Sequence, residues 1–199
     1  MIDTIIFDFG GVLYDINYFL AIKELAKLSA SPYLLNDMNL ESILELPSDF
    51  EKGIMSSSQF RNYLRQVFFI EASDEMIDKS WNSMLLGLKK EAIPFIKSIK
   101  NKYKIALLSN TNEIHYKHFL PETSELLDLI ENNFLSFQIN RRKPDVEIYD
   151  FVCKKLNCNV KNTLFIDDSL VNIYGANLFG LATLHFTEDK RLSDLFHTI

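Results

Sequence analysis

The sequence predicts an α/β fold, a doubly wound parallel sheet with a helical cap inserted after the first strand. Two patterns point there. Short apolar runs recur at Thr4 to Phe7, Ile105 to Leu108, Phe134 to Ile139, Thr163 to Ile166 and Ala182 to Phe186. They are continuous rather than alternating, as in strands buried on both faces of a parallel sheet. The stretches between the last four carry helical periodicity, so strands and helices alternate as crossover units require.

Taken in order, Thr4 to Phe7 is the first strand, and the chain then changes character. From about Asn17 to Lys90 there is no strand run, but there are amphipathic stripes such as Phe60, Leu64, Val67, Phe68 and Ile77, Trp81, Met84, Leu85. Ser73-Asp74-Glu75-Met76 reads as a helix start, with acids at the positive end of the helix dipole. The expected organisation is therefore an α/β core of residues 1–16 and 91–199, with a helical cap over residues 17–90. In the core, Ile148, Phe151, Val152 and Leu156 fall on one helical stripe, with Pro144 near its start. Gly180 is placed to stop a helix running from Asn172 to Phe179.

Composition narrows the function. The 199 residues are 47% hydrophobic, with 21 basic against 27 acidic side chains for a net charge of −6. Such a surface repels phosphate backbones and anionic headgroups, so neither nucleic acid nor a membrane is an expected partner. No apolar stretch approaches the roughly 20 residues of a membrane span, and the first residues contain acids where a signal peptide needs a positive start. Cys153 and Cys158 make no disulfide framework and no zinc-finger spacing. A cytoplasmic protein is expected, as monomer or homodimer.

Four polar features follow four of the predicted strands: Asp8 in Phe7-Asp8-Phe9-Gly10-Gly11, then Ser109-Asn110-Thr111-Asn112, Lys143-Pro144-Asp145 and Asp167-Asp168-Ser169. The carboxyl ends of parallel strands share one edge, where ligands bind in open sheets. Asp8, Asp167 and Asp168 gathered there would repel one another unless a cation neutralised them. An all-oxygen donor set selects Mg²⁺, which also grips phosphate. Lys143 would add a positive charge and Ser109 a hydroxyl for an anionic group. An aspartate is a competent nucleophile toward phosphorus. His115 and His118, three apart, have no acidic or cysteine partner nearby in sequence and read as surface or structural residues. Gly10-Gly11 lacks the dinucleotide fingerprint and reads as a tight turn.

This ordered set resembles the haloacid dehalogenase-like superfamily of hydrolases. Asp8, Ser109, Lys143 and the pair Asp167-Asp168 match its four motifs in order, and the inserted helices look like its C1 cap, so the resemblance spans the chain. It implies that Asp8 is nucleophile and Mg²⁺ ligand, with the Gly10 carbonyl also on the metal. Ser109, Asn110 and Lys143 would hold the phosphoryl group. Asp168 would bind the metal directly, and Asp167 directly or through water, with Asn172 buttressing the pair. The implied activity is a Mg²⁺-dependent phosphatase acting on a small phosphorylated metabolite, a sugar phosphate being favoured.

One position departs from the pattern. Phosphatases of this superfamily usually carry a second aspartate two residues after the nucleophile, as general acid and base, where this chain has Gly10. Loss of such a group costs roughly 10²- to 10⁴-fold in rate. The expectation that follows is a preference for good leaving groups such as sugar 1-phosphates. The alternatives are a 2-haloacid dehalogenase, which also lacks that aspartate but needs no metal, and a binding protein that has lost turnover.

Overall fold

A computed structural model describes residues 1–30, 48–187 and 189–197. Its centre is a five-stranded, wholly parallel sheet in the order β5-β4-β1-β6-β7. The strands are β1 (Thr4–Phe7), β4 (Lys104–Ser109), β5 (Asn132–Leu135), β6 (Thr163–Asp167) and β7 (Ala182–His185). All four residues of β1 are buried, and its Thr, Ile and Phe side chains suit a pleated surface covered on both sides.

Strand alternation sorts the core into two layers. Ile5, Phe7, Ile105, Leu107, Leu164 and Ile166 pack on one face, against α5 (Ala92–Ile99) and α6 (Glu113–Leu129). Ile6, Ala106, Leu108 and Phe165 pack on the other, against α8 (Val146–Leu156) and α9 (Leu170–Phe179). Gly180 ends α9 with φ +105°, a conformation that favours glycine at a helix stop. Among the described residues, no helix is long and apolar enough to cross a membrane.

A third apolar cluster joins four further helices: α1 (Tyr18–Lys27), α2 (Ser48–Glu51), α3 (Ser57–Phe68) and α4 (Asp74–Asn82). Their starts are written locally. Ser56 and Gln59 form a reciprocal capping box on α3, and the Ser73 hydroxyl accepts from the Met76 amide on α4. Phe50, Phe60, Leu64, Phe68, Ile77 and Trp81 meet inside this layer, with the Phe50 and Phe60 rings stacked at 4.0 Å.

Two expectations are corrected. The 17–90 stretch does contain a strand: β3 (Leu85–Leu88) pairs antiparallel with β2 (Tyr14–Ile16), while α4 stops at Asn82. The stripe Ile77, Trp81, Met84, Leu85 therefore covers two elements, since Met84 is buried for packing and Leu85 has passed into the ribbon. The run Phe134 to Ile139 is likewise split. It leaves β5 at Leu135 and turns through α7 (Ser136–Ile139), because the buried Ser136 hydroxyl donates to the Thr111 carbonyl and accepts from the Thr111 amide, both at 2.9 Å. That tertiary clamp overrides the strand propensity of the run.

Candidate active site

Register explains why residues far apart in sequence meet. Phe7 pairs with Leu107 on one side and Ile166 on the other, so Asp8, Leu108 and Asp167 lie level at the carboxyl edge. The Asp8 amide donates to the Ile166 carbonyl at 2.8 Å, which extends the ladder one residue beyond β1. At this edge Lys143 is almost completely buried, with 1% of its surface exposed. Its Nζ lies 2.7 Å from Asp8 Oδ1 and 2.6 Å from Asp167 Oδ2. Asp168 completes a group of three carboxylates whose oxygens come within 4.8 Å of one another.

The three acids are not equivalent. Asp167 is fully buried and uses both oxygens inside the protein: Oδ2 on the Lys143 ammonium, Oδ1 on the Ser169 amide at 2.8 Å, and both on the Asn172 amide at 3.1 Å. It anchors Lys143, and Asn172 donates to it from the start of α9. Asp8 and Asp168 instead face a cleft of about 500 Å³, with the Gly10 backbone beside them. Burial first, and then the Asp167 carboxylate, push both Asp8 and Asp168 above the ordinary carboxylate range, although Lys143 pulls the other way. Lys143 itself is held above the ordinary lysine range: burial alone would lower it, but Asp167 and Asp8 outweigh that. Three carboxylates share one ammonium, so the site carries an excess of negative charge that a divalent cation would offset, and the oxygen-only donor set suits Mg²⁺.

Gly11 shows how tightly the turn is built. Its φ is +76°, and a Cβ there would lie 2.2 Å from Asp168 Oδ2. Glycine is needed both for the conformation and for the approach of the carboxylate.

Asn110 and Ser109 sit differently from each other. The Asn110 amide grips the Lys143 backbone at two points, donating to its carbonyl and accepting from its amide, each at 2.9 Å. It thereby fixes the residue that carries the ammonium. Ser109 is buried and borders a second, narrower recess of about 70 Å³; among the described residues its hydroxyl has only a long 3.5 Å contact to the Asn110 carbonyl. Asn112 caps α6 by accepting from the His115 amide.

The recess lies between the sheet edge and the helical layer, with walls that include Phe9, Ile16, Phe50, Trp81 and Phe119. His115 belongs to this wall and is buried, while His118 is exposed. The His115 ring stacks on Trp81 at 4.9 Å and its Nδ1 is 2.8 Å from Asn82 Oδ1. Burial, with a smaller contribution from His118, lowers its pKa to about 3, so the ring is neutral. The Trp81 indole N–H has no hydrogen-bond acceptor among the described residues.

Cleft and recess share four residues: Gly10, Tyr18, Glu51 and Asn110. Tyr18 and Glu51 escaped the sequence reading, because both lie outside any strand-end motif, on helices whose placement over the sheet no local pattern encodes. Arg142 Nε lies 2.8 Å from Glu51 Oε2, and Lys52, one residue past α2, lies 3.0 Å from Asp145, so two charge pairs tie α2 and its end to the loop that carries Lys143.

Comparison with known proteins agrees with this geometry. Residues 2–180 match the haloacid dehalogenase-like hydrolase family. D-ribitol-5-phosphate phosphatase from Bacteroides thetaiotaomicron is 30% identical over 92% of this chain and 91% of its own. Sesquiterpene phosphatase from Aspergillus oryzae is 24% identical over 92% and 89%. A haloacid dehalogenase family enzyme of B. thetaiotaomicron, solved as a variant with magnesium and inorganic phosphate, superposes with a TM-score of 0.87 at 28% identity, covering 98% of this chain and 99% of that one. With the motifs in order, the parallel sheet and the match over nearly its full length, the chain belongs to the haloacid dehalogenase-like hydrolases.

Proposed function

We propose that the protein is a Mg²⁺-dependent phosphatase that cleaves a small phosphorylated metabolite through an aspartyl-phosphate on Asp8. The observation that carries this reading is the buried Lys143 ammonium between Asp8 and Asp167, with Asp168 closing an all-oxygen cluster around the cleft. Asp8, Asp168 and the Gly10 carbonyl would hold the ion, with Asp167 behind them through water. The bound ion supplies charge neutralisation for the carboxylates and the phosphoryl oxygens. Lys143, its position locked by Asp167 and Asn110, holds one phosphoryl oxygen, and the weakly engaged Ser109 hydroxyl is free to donate to another. Asp8 attacks phosphorus in line with the ester oxygen, and water then releases phosphate and regenerates the carboxylate.

The organic group occupies the recess. A space of about 70 Å³ suits a short carbon chain better than a sesquiterpene. That favours a sugar or alditol phosphate, and the similarity to a D-ribitol-5-phosphate phosphatase supports that class. The helical layer over the recess would act as the cap that excludes water.

The test is phosphate release from p-nitrophenyl phosphate and acetyl phosphate with Mg²⁺. The wild type should be active, EDTA should abolish the activity, and Asp8→Asn should lose at least about 10⁴-fold, as when a covalent nucleophile is removed. Halide release from 2-haloacids that ignores EDTA, with no phosphate release, would replace this reading with dehalogenation.

A further inference from the structure

The residue expected to protonate the leaving group is missing, since Gly10 has no side chain. Proton transfer must occur where the bridging ester oxygen lies, at the junction between the phosphate cleft and the recess. Four residues line both cavities: Gly10, Tyr18, Glu51 and Asn110. Gly10 offers nothing to titrate, and the Asn110 amide is committed to the Lys143 backbone. That leaves a phenol and a carboxyl.

We propose that Glu51, carried on α2 of the helical layer, is the general acid and base of the reaction in place of the side chain absent at Gly10. This deepens the phosphatase reading and rests on it. Glu51 lines both the cleft and the recess, and the ion pair of its Oε2 with Arg142 Nε at 2.8 Å holds the carboxyl at their junction. A carboxyl held where the bridging ester oxygen lies is the placement that proton transfer requires.

Burial raises the Glu51 carboxyl above its ordinary value, against the opposing pull of Arg142 and then Lys143. A carboxyl tuned upward stays protonated closer to neutral pH, where general acids work best. Tyr18 is a poorer match. A phenol, with an ordinary pKa of about 10, is a far weaker acid than a carboxyl, and Tyr18 is 53% exposed to solvent.

The steps balance. As Asp8 forms its bond to phosphorus, the P–O bond to the organic group breaks and its electron pair stays on the departing oxygen, which takes the Glu51 proton and leaves as an alcohol. Glu51, now a carboxylate, removes a proton from the water whose oxygen attacks the aspartyl-phosphate. Inorganic phosphate leaves, and both Asp8 and Glu51 are restored.

This assignment reverses the leaving-group expectation drawn from the sequence. With a proton donor on the helical layer, esters of ordinary alcohols are within reach, and activated or anomeric phosphates have no special advantage.

The experiment compares kcat/KM for p-nitrophenyl phosphate, phenyl phosphate and glycerol 3-phosphate with Mg²⁺, in wild type, Glu51→Gln and Tyr18→Phe. The ratio kcat/KM reports steps through transfer to Asp8, so protonation should matter only for poor leaving groups. Glu51→Gln should lose about 10²- to 10⁴-fold on glycerol 3-phosphate, an intermediate amount on phenyl phosphate, and less than about 10-fold on p-nitrophenyl phosphate. The acid must carry its proton, so wild-type kcat/KM on the alkyl ester should fall as pH rises through the Glu51 pKa, and that limb should vanish in the variant. Retained p-nitrophenyl phosphate activity shows that the variant is folded. An equal loss on all three esters would mark Glu51 as a tether to Arg142 and overturn the proposal. So would no loss on any ester, or a leaving-group-selective loss in Tyr18→Phe instead. Absence of Mg²⁺-dependent activity in the wild type, or its retention in Asp8→Asn, would instead defeat the phosphatase reading itself.

Discussion

The cleft around Asp8 and Lys143 is built mainly on strand ends and the loops that follow them, whereas the recess beside it is walled mainly by helices and the β4–α6 loop. In the cleft, backbone ladders set the level of each carboxylate, and hydrogen bonds to Asp167 and Asn110 hold the Lys143 ammonium in place. In the recess, packed rings set the shape, and the Trp81 indole N–H has no hydrogen-bond acceptor among the described residues. The contrast separates two tasks. Charge must be held rigidly where phosphorus reacts, while the choice of substrate and the proton come from the helical layer packed over it.

The sharpest way to break that contrast is to remove the buried ammonium between Asp8 and Asp167. Lys143→Met leaves Asp8 and Asp167 buried without a counter-charge, and breaking such a pair costs about 3–5 kcal/mol. Phosphatase activity should fall by at least about 10²-fold, as on loss of a preorganised charge at the transferred group. Thermal melts with and without Mg²⁺ sharpen the point: the ion should narrow the stability gap, because it offsets the same excess charge. A variant as stable and active as wild type would mean that the cleft is not organised around its ammonium.

A smaller effect is expected at the turn. Gly11→Ala places a methyl 2.2 Å from Asp168 Oδ2 at φ +76°, whereas Gly10→Ala meets only the flexible Ile16 Cδ1 at 3.0 Å. Strain at Gly11 should cost about 1–3 kcal/mol, and displacement of Asp168 should raise the Mg²⁺ needed for half-maximal activity by roughly 10- to 100-fold. Mg²⁺ titration of the two variants checks this. Equal behaviour would show that Asp168 has room to move and that the cleft is softer than its geometry suggests.

What could be read in the sequence divides along the same line. Asp8, Lys143 and Asp167-Asp168 were legible because each sits at a fixed offset from an apolar run, and parallel topology converts such offsets into proximity. Gly180 and Ser73 were legible as caps because a cap is decided within one turn of chain. The bend at Ser136 was not, since it depends on a bond to Thr111 from another loop. Nor was β3, whose partner β2 lies some seventy residues earlier. Glu51 was hidden for the same reason: its importance comes from where α2 rests over the sheet, and a four-residue helix announces nothing of that.

The weakest expected effect concerns the recess wall, and it opposes the cleft in sign. His115 titrates at about 3 in the folded protein because burial and then His118 disfavour its charge, against about 6.5 for an unperturbed imidazole. Between those values the unfolded chain binds the proton and the folded chain does not, so stability rises with pH there. The contribution is fully present above about pH 6.5 and is lost as pH falls toward 3. In the cleft, Asp8 and Asp168 are raised, so without Mg²⁺ acidification favours their folded form. Urea unfolding at pH 7 and pH 5, with EDTA, compares the wild type with His115→Phe, which keeps a ring against Trp81 but cannot take the proton. The wild type should lose about 1–2 kcal/mol more than the variant on going to pH 5. Identical losses would show that the recess opens enough to let His115 charge in place, and that its wall, unlike the cleft, yields to a proton.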